Sequence, residues 1–299
     1  MKILLIGADG QLGREIRRSQ LPPGATLIGA NRKQLDLARP GEIAAFVSQI
    51  APDLVINAAA YTAVDRAEDE ADLAFAINRD AAGALARAAA RRSAPIVHIS
   101  TDYVFNGRKE SEWSEDDSPD PINVYGASKL AGEIAVAAAN PHHLILRVSW
   151  LYSVWGHNFL RTMLKLGHVR SRLSIVNDQI GRPTSASDVS RALIGMALQT
   201  MNGEGEWGLY HLSNSGTPTS WHGFASAIFC KAAPWSGMPP ILDPISSQAY
   251  GARAARPQNS VLGLQKVERV FGLRPRSWQA ALAEVVEALR REDIEMRLS

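Results

Sequence analysis

Lys2-Ile3-Leu4-Leu5-Ile6-Gly7-Ala8-Asp9-Gly10-Gln11-Leu12-Gly13 opens the chain and decides its fold. An apolar run this short, cut off by glycine, reads as a buried strand. Apolar residues then recur at helical spacing, so the glycines join a strand to a helix. Gly7, Gly10 and Gly13 allow the tight turn and let backbone amides approach a pyrophosphate at the helix N-terminus. The spacing is G-x-x-G-x-x-G, not G-x-G-x-x-G. With Gln11 and Leu12 between the last two glycines, the turn predicts dinucleotide binding. A turn without a ligand is the plainer alternative.

The pattern continues outward. Strands are expected at 2–6, 26–30, 54–58, 96–100 and 144–148, with helices at 11–19, 40–50, 71–91 and 124–139 between them. Strands rich in Ile, Leu and Val, separated by helices, imply a parallel sheet covered on both faces. Right-handed crossovers make it an α/β doubly wound (Rossmann) fold. After about residue 150, aromatics, prolines and glycines come in blocks, with helices expected near 158–166, 187–199, 220–230 and 277–290. This predicts a nucleotide-binding domain over 1–150 and a smaller C-terminal α/β substrate domain over 151–299, with some later segments returning to the sheet.

The 299 residues are 46% apolar and carry a formal charge of +2. Such a chain can bury a substantial core and shows no basic footprint for nucleic acid or a membrane surface. No stretch approaches the ~18 apolar residues of a membrane helix. No signal-peptide pattern opens it, and the single cysteine, Cys230, excludes an internal disulfide. A reducing cytoplasm is the simplest compartment. Cys230 sits in an apolar run and reads as a buried filler.

Ser100-Thr101-Asp102 and Tyr125-Gly126-Ala127-Ser128-Lys129 point to chemistry. Residues four apart on a helix share a face. A phenol ionises near pH ~10, and a close ammonium favours its phenolate. A shift of roughly 3 units needs about 4 kcal/mol. A partly desolvated cation and the Thr101 hydroxyl together supply such a term. Tyr125, Lys129 and Thr101 thus suit proton exchange with a carbonyl or alcohol. A surface helix with a solvated lysine is the bland alternative, which the surrounding motifs outweigh.

The second strand ends at Asn31-Arg32, where NAD-selective sites usually place a carboxylate. A basic residue suits the extra phosphate of NADPH, with NADH as the alternative cofactor, or merely an exposed turn. Asp36 and Leu37 then resemble an adenine-edge contact. The small side chains of 57–60, with Tyr61 and Thr62, let a cofactor lie on the strand tips or reflect tight packing. Asn78 reads as a structural hydrogen-bonding residue. The histidines show no ligand spacing: His98 reads as a satisfied core position and His142-His143 as a turn.

Together these residues resemble the extended short-chain dehydrogenase/reductase superfamily and, within it, the dTDP-4-dehydrorhamnose reductases. The likeness rests on Ala58-Ala59-Ala60-Tyr61-Thr62-Ala63-Val64-Asp65, Ser100-Thr101-Asp102-Tyr103-Val104-Phe105 and Asn123-Val124-Tyr125-Gly126. It continues through Arg147-Val148-Ser149-Trp150-Leu151-Tyr152, Asn177-Asp178-Gln179-Ile180-Gly181-Arg182-Pro183-Thr184, Gly208-Leu209-Tyr210-His211-Leu212 and Arg256-Pro257-Gln258-Asn259-Ser260. The resemblance implies reduction of a dTDP-4-keto-6-deoxy-sugar for cell-surface polysaccharide. It makes Tyr125 the proton donor, Lys129 its partner and a nicotinamide-ribose ligand, and Thr101 the holder of the reacting oxygen. It also implies Asp102 and Trp150 as sugar-pocket residues (a core role for Trp150 being the alternative) and Arg256 as a contact of the nucleotide diphosphate. Some members form a magnesium-linked homodimer through carboxylates. Glu15 stands where one would be, but 184–188 offers no matching glutamate, which argues against the metal.

Rival readings remain at this stage. Dehydratases of the superfamily usually carry Asp-Glu after the catalytic threonine, whereas Asp102-Tyr103 stands here. An epimerase would retain its NAD. A non-catalytic NADP-binding regulatory subunit is the rival of a different class.

Overall fold

β1 (Lys2–Ile6) leads through the glycine turn into α1 (Gln11–Arg18), then β2 (Thr26–Ala30), α2 (Ile43–Ile50) and β3 (Leu54–Asn57). The structure, a computed structural model, describes residues Met1–Leu298, the side chains of 235–236 and 292–298 excepted. Next come α3 (Val64–Ala67), α4 (Ala71–Phe75), α5 (Ala82–Ala90), β4 (Ile96–Thr101), α6 (Val124–Ala139) and β5 (His143–Val148). The second half contributes β6 (Leu151–Tyr152), α7 (Phe159–Val169), β7 (Arg172–Val176), β8 (Ile180–Gly181), β9 (Thr184–Ser185), α8 (Ala186–Met201) and β10 (Gly208–His211). It ends with β11 (Thr219–Ser220), α9 (Trp221–Ser236), β12 (Ile241–Ile245), α10 (Ser247–Tyr250), α11 (Gln265–Phe271) and α12 (Trp278–Leu298).

The central sheet runs β10-β5-β4-β3-β1-β2, and every pairing in it is parallel. Strand order reverses at β1, so a crevice opens between the C-terminal ends of β1 and β3. Alternation along β1 shows why both faces are covered. Ile3 and Leu5 point to one layer, where α1, α8 and α11 bring Leu12, Ile16, Val189, Leu193, Val267 and Phe271. Leu4 and Ile6 point to the other, where α2, α5 and α6 bring Val47, Leu85, Ala86 and Val136. A third cluster gathers α7, α9 and α12 around Leu160, Phe224, Ile228 and Leu282. The second half therefore supplies a strand and two helices to the sheet layers.

Four local expectations are corrected. The helix over 71–91 is interrupted by a π turn at Ala76–Ala81 that carries Asn78. A 3-10 turn at Pro40–Glu42 precedes α2, and His143 already belongs to β5. Cys230 is exposed. On α9, Phe224, Ala225, Ile228, Phe229 and Ala232 face inward, and the 3.6-residue period leaves Cys230 on the opposite side.

Candidate active site

The glycine turn closes against β3. Gly7 has φ +82°, and a Cβ on it would lie 2.8 Å from the Ala59 nitrogen. A Cβ on Gly13 would overlap the Gly7 carbonyl oxygen. Gly10 caps α1 without a side-chain acceptor, so no side chain at the cap competes for the first-turn N–H donors. The cradle that any side chain would fill fits a dinucleotide pyrophosphate. Gln11 reaches the other way, accepting from Asn158 Nδ2 at 3.0 Å, while Leu12 is buried in the core.

At the end of β2, the Asn31 amide donates to Asp9 at 2.9 Å, and its Oδ1 accepts from the Lys33 and Gln34 backbones. Arg32 projects outward, its side chain 77% exposed, with Asp36 at 3.6 Å. Leu37 is buried in the layer of α2. Ala60, Tyr61 and Thr62 follow β3. Tyr61 is fixed through its backbone by Asn78, which accepts from its N–H at 2.8 Å and donates to its carbonyl at 3.1 Å. Asn78 also donates to Ser128 at 2.9 Å, so the structural reading of Asn78 is what the structure shows.

Thr101 ends β4, and Tyr125 and Lys129 come from the start of α6. Asn123 caps that helix, its Oδ1 accepting from the Gly126 N–H at 2.7 Å. Gly126 lies against the Tyr103 carbonyl so closely that a Cβ would overlap it. Tyr125 thereby sits edge-on to Tyr103, ring centroids 5.6 Å apart, with its phenol beside the Thr101 side chain. Burial pushes the Tyr125 phenol up to about 12, against the Thr101 hydrogen bond, and the Asp102 charge adds to the rise. This shift is opposite in sign to the one expected from an ammonium neighbour. Lys129 is buried, and its Nζ donates to the Ile99 carbonyl at 2.6 Å. Burial pulls Lys129 down to about 8, with the Glu133 charge opposing.

Asp102 is buried beside Thr101, whose hydroxyl donates to its Oδ1 at 3.1 Å. Burial raises this acid to about 7, against hydrogen bonds from Ser260 and Thr101. Trp150 has φ +47° and stacks on Trp221 with centroids 3.6 Å apart, so Trp221 covers one of its ring faces. Arg256 pairs with Asp65 at 2.7 and 3.1 Å. Sequence reasoning did not single out Asp65 as that partner, nor Gly126 as a contact point. The spacing of neither residue announces a partner from a distant segment. Glu15 is half-buried and accepts from Ser153 at 3.2 Å; burial raises its pKa.

Two cavities lie elsewhere along α8, one of about 400 Å³ against Phe271 and Arg276 and one of about 600 Å³ between Glu15, Arg191 and Glu284. Among the described residues, no group of three or more His, Cys, Asp or Glu side chains is placed to hold a metal. Among them, no helix is long and apolar enough to cross a membrane.

Comparison with known proteins agrees with this geometry. A family described as RmlD substrate binding domain matches residues 1–291. A dTDP-4-dehydrorhamnose reductase of Sinorhizobium fredii is 42% identical over 97% of this chain and 98% of its own. The solved structure of a dTDP-4-dehydrorhamnose reductase from Clostridium acetobutylicum superposes with a TM-score of 0.91 at 37% identity, covering 97% of this chain and all of that one. One from Bacillus anthracis, solved in complex with NADP, has a TM-score of 0.86 at 38% identity, covering 95% and 98%. With the glycine cradle and the Thr101, Tyr125 and Lys129 cluster on a doubly wound sheet, these likenesses place the chain in the dTDP-4-dehydrorhamnose reductase family of oxidoreductases.

Proposed function

We propose that this protein reduces the 4-keto group of dTDP-4-dehydro-L-rhamnose (dTDP-6-deoxy-L-lyxo-4-hexulose) to dTDP-L-rhamnose, with NADPH as reductant. The observation that carries the reading is Thr101 at the end of β4 beside the Tyr125 phenol, with buried Lys129 one turn further along α6, all on the same edge of the parallel sheet as the glycine cradle. NADPH, when bound, supplies the hydride for the carbonyl carbon. Gly7, Gly10 and Gly13 hold the pyrophosphate at the start of α1, and exposed Arg32 meets the 2′-phosphate.

Tyr125 gives its proton to the carbonyl oxygen as that oxygen gains charge, and Thr101 orients the same oxygen. A phenol raised to about 12 stays protonated at neutral pH, ready to act as the acid. The Lys129 ammonium holds the ribose and favours the phenolate left behind. Asp102 and Trp150 line the sugar side, and Arg256 faces the nucleotide diphosphate. Residues 1–150 carry the cofactor, and 151–299 mainly carry the sugar nucleotide. The protein acts as a homodimer without an interface magnesium.

The test is to mix the protein with NADPH and freshly made dTDP-4-keto-6-deoxy-L-sugar, follow the loss of NADPH absorbance and identify the product. Tyr125→Phe is expected to bind NADPH normally and lose at least about a hundredfold in turnover, the range for removing a positioned acid. Near-normal turnover in that variant removes Tyr125 as the donor. No consumption of NADPH by the unaltered protein removes the reductase reading itself.

A further inference from the structure

Beneath Lys129 lies a residue that the proposed mechanism leaves unused. His98, in β4, is fully buried. Its Nδ1 lies 3.1 Å from Asn57 Nδ2, and its Nε2 lies 3.5 Å from Lys129 Nζ. The orientation of Asn57 is set independently, because its Oδ1 accepts the backbone N–H of Ala59 at 3.2 Å. A backbone N–H can only donate, so Oδ1 faces Ala59 and the amide nitrogen faces His98. The imidazole must then accept at Nδ1. A neutral imidazole that accepts at one nitrogen carries its hydrogen on the other. The register of the sheet, with Asn57 opposite His98, builds this contact into the pairing of β3 with β4.

We propose that His98 is a positioning residue for Lys129: Asn57 locks its tautomer so that Nε2–H faces the lysine nitrogen. The inference rests on the reading of Lys129 as the cofactor-side lysine. An ammonium cannot donate to an N–H, so the imidazole offers Lys129 no acceptor. One ammonium hydrogen is used on the Ile99 carbonyl, and the imidazole takes neither of the other two. The free amine, by contrast, accepts from Nε2–H and is favoured. The same contact therefore keeps the lysine poised between charge states instead of sealing it as a buried cation.

The other groups around Lys129 act in known directions. Burial disfavours the ammonium, and the Glu133 charge, one turn on along α6, favours it. Glu133 is itself bound by Arg147 of β5 at 2.7 and 2.9 Å and by Ser100 of β4 at 2.5 Å, which weakens its hold on Lys129. Tyr125 stands one turn back along α6, and Asp102 and Tyr103 follow the end of β4. Burial, reinforced by the Lys129 charge, holds His98 well below the usual histidine range, so it stays a neutral imidazole at working pH.

The experiment follows NADPH affinity against pH in four proteins: unaltered, Asn57→Asp, His98→Leu and the double variant. In the unaltered protein, affinity falls as pH rises through the loss of the ammonium. A carboxylate at position 57 accepts from Nδ1–H, reverses the tautomer and turns Nε2 into an acceptor for the ammonium. Asn57→Asp is therefore expected to move the affinity limb up by about one pH unit or more. That upward shift should be absent when Asn57→Asp is added to His98→Leu. A shift that survives in the double variant is direct attraction by the new charge and overturns the proposal, as does an unmoved limb in Asn57→Asp. Nitrogen NMR of His98 in the unaltered protein reads the tautomer itself, and a hydrogen on Nδ1 also overturns it. Failure of the reductase reading shows separately, as no consumption of NADPH when the unaltered protein is given the keto sugar.

Discussion

Asp102 shows how burial rather than residue type sets the acid–base character of this site. Its carboxyl is raised to about 7, so the folded protein holds that proton more tightly than the unfolded chain does. Stability from this residue is present below the unfolded value and is lost as pH rises toward about 7. Asp102→Asn should flatten that slope. Urea denaturation should find the variant more stable than the parent at pH 8 by no more than about 4 kcal/mol, and without that advantage near pH 4. An unchanged slope would show that the acid is ionised when folded. The sequence made Tyr125, Lys129 and Thr101 candidates because their chemistry is written in residue type and spacing. It misread the direction of the tyrosine's shift. Burial of the phenol depends on Tyr103 and Asp102 packing around it, and their distance from Tyr125 along the chain does not reveal that contact.

At the scale of elements, α6 is set against its neighbours by its glycines. A Cβ at Gly126 would overlap the Tyr103 carbonyl, and one at Gly132 would overlap the Asn78 carbonyl. Gly126→Ala must push the start of α6 away and carry Tyr125 from Thr101. Thermal unfolding and turnover should show a loss of about 1–3 kcal/mol, the usual cost of overpacking a close contact, and more than about tenfold in rate. Gly195→Ala on α8 is the control. No atom stands within 4 Å of the added methyl, and helix propensity predicts a gain of up to about 1 kcal/mol. The extents of β1, β2 and α6 were legible because apolar periodicity and turn residues mark them locally. The π turn at Ala76–Ala81 was not. It accompanies the inward placing of Asn78 against Tyr61 and Ser128, a demand from outside the helix.

Across the whole molecule, distant segments are tied by a few partly buried arginines. Arg182 donates to the Gly216 carbonyl at 2.8 Å and the Leu262 carbonyl at 3.2 Å, and pairs with Glu112. Arg182→Met leaves these acceptors without their donor. Denaturant unfolding should show a loss of about 2–4 kcal/mol, and hydrogen exchange should rise first around 112, 216 and 262. No change in either would assign the clamp to other contacts. The sequence alone determined the alternating strands and helices, the glycine turn and the choice of Thr101, Tyr125 and Lys129 as candidates, since each is a property of neighbours along the chain. Only the tertiary structure decided that Trp150 stacks on Trp221, that Arg256 meets Asp65, that β10 returns to the sheet and that His98 stands under Lys129. Those are contacts between residues tens to hundreds of positions apart. They exist because burying both faces of one sheet brings such residues together, and no local pattern of residues encodes which of them will meet.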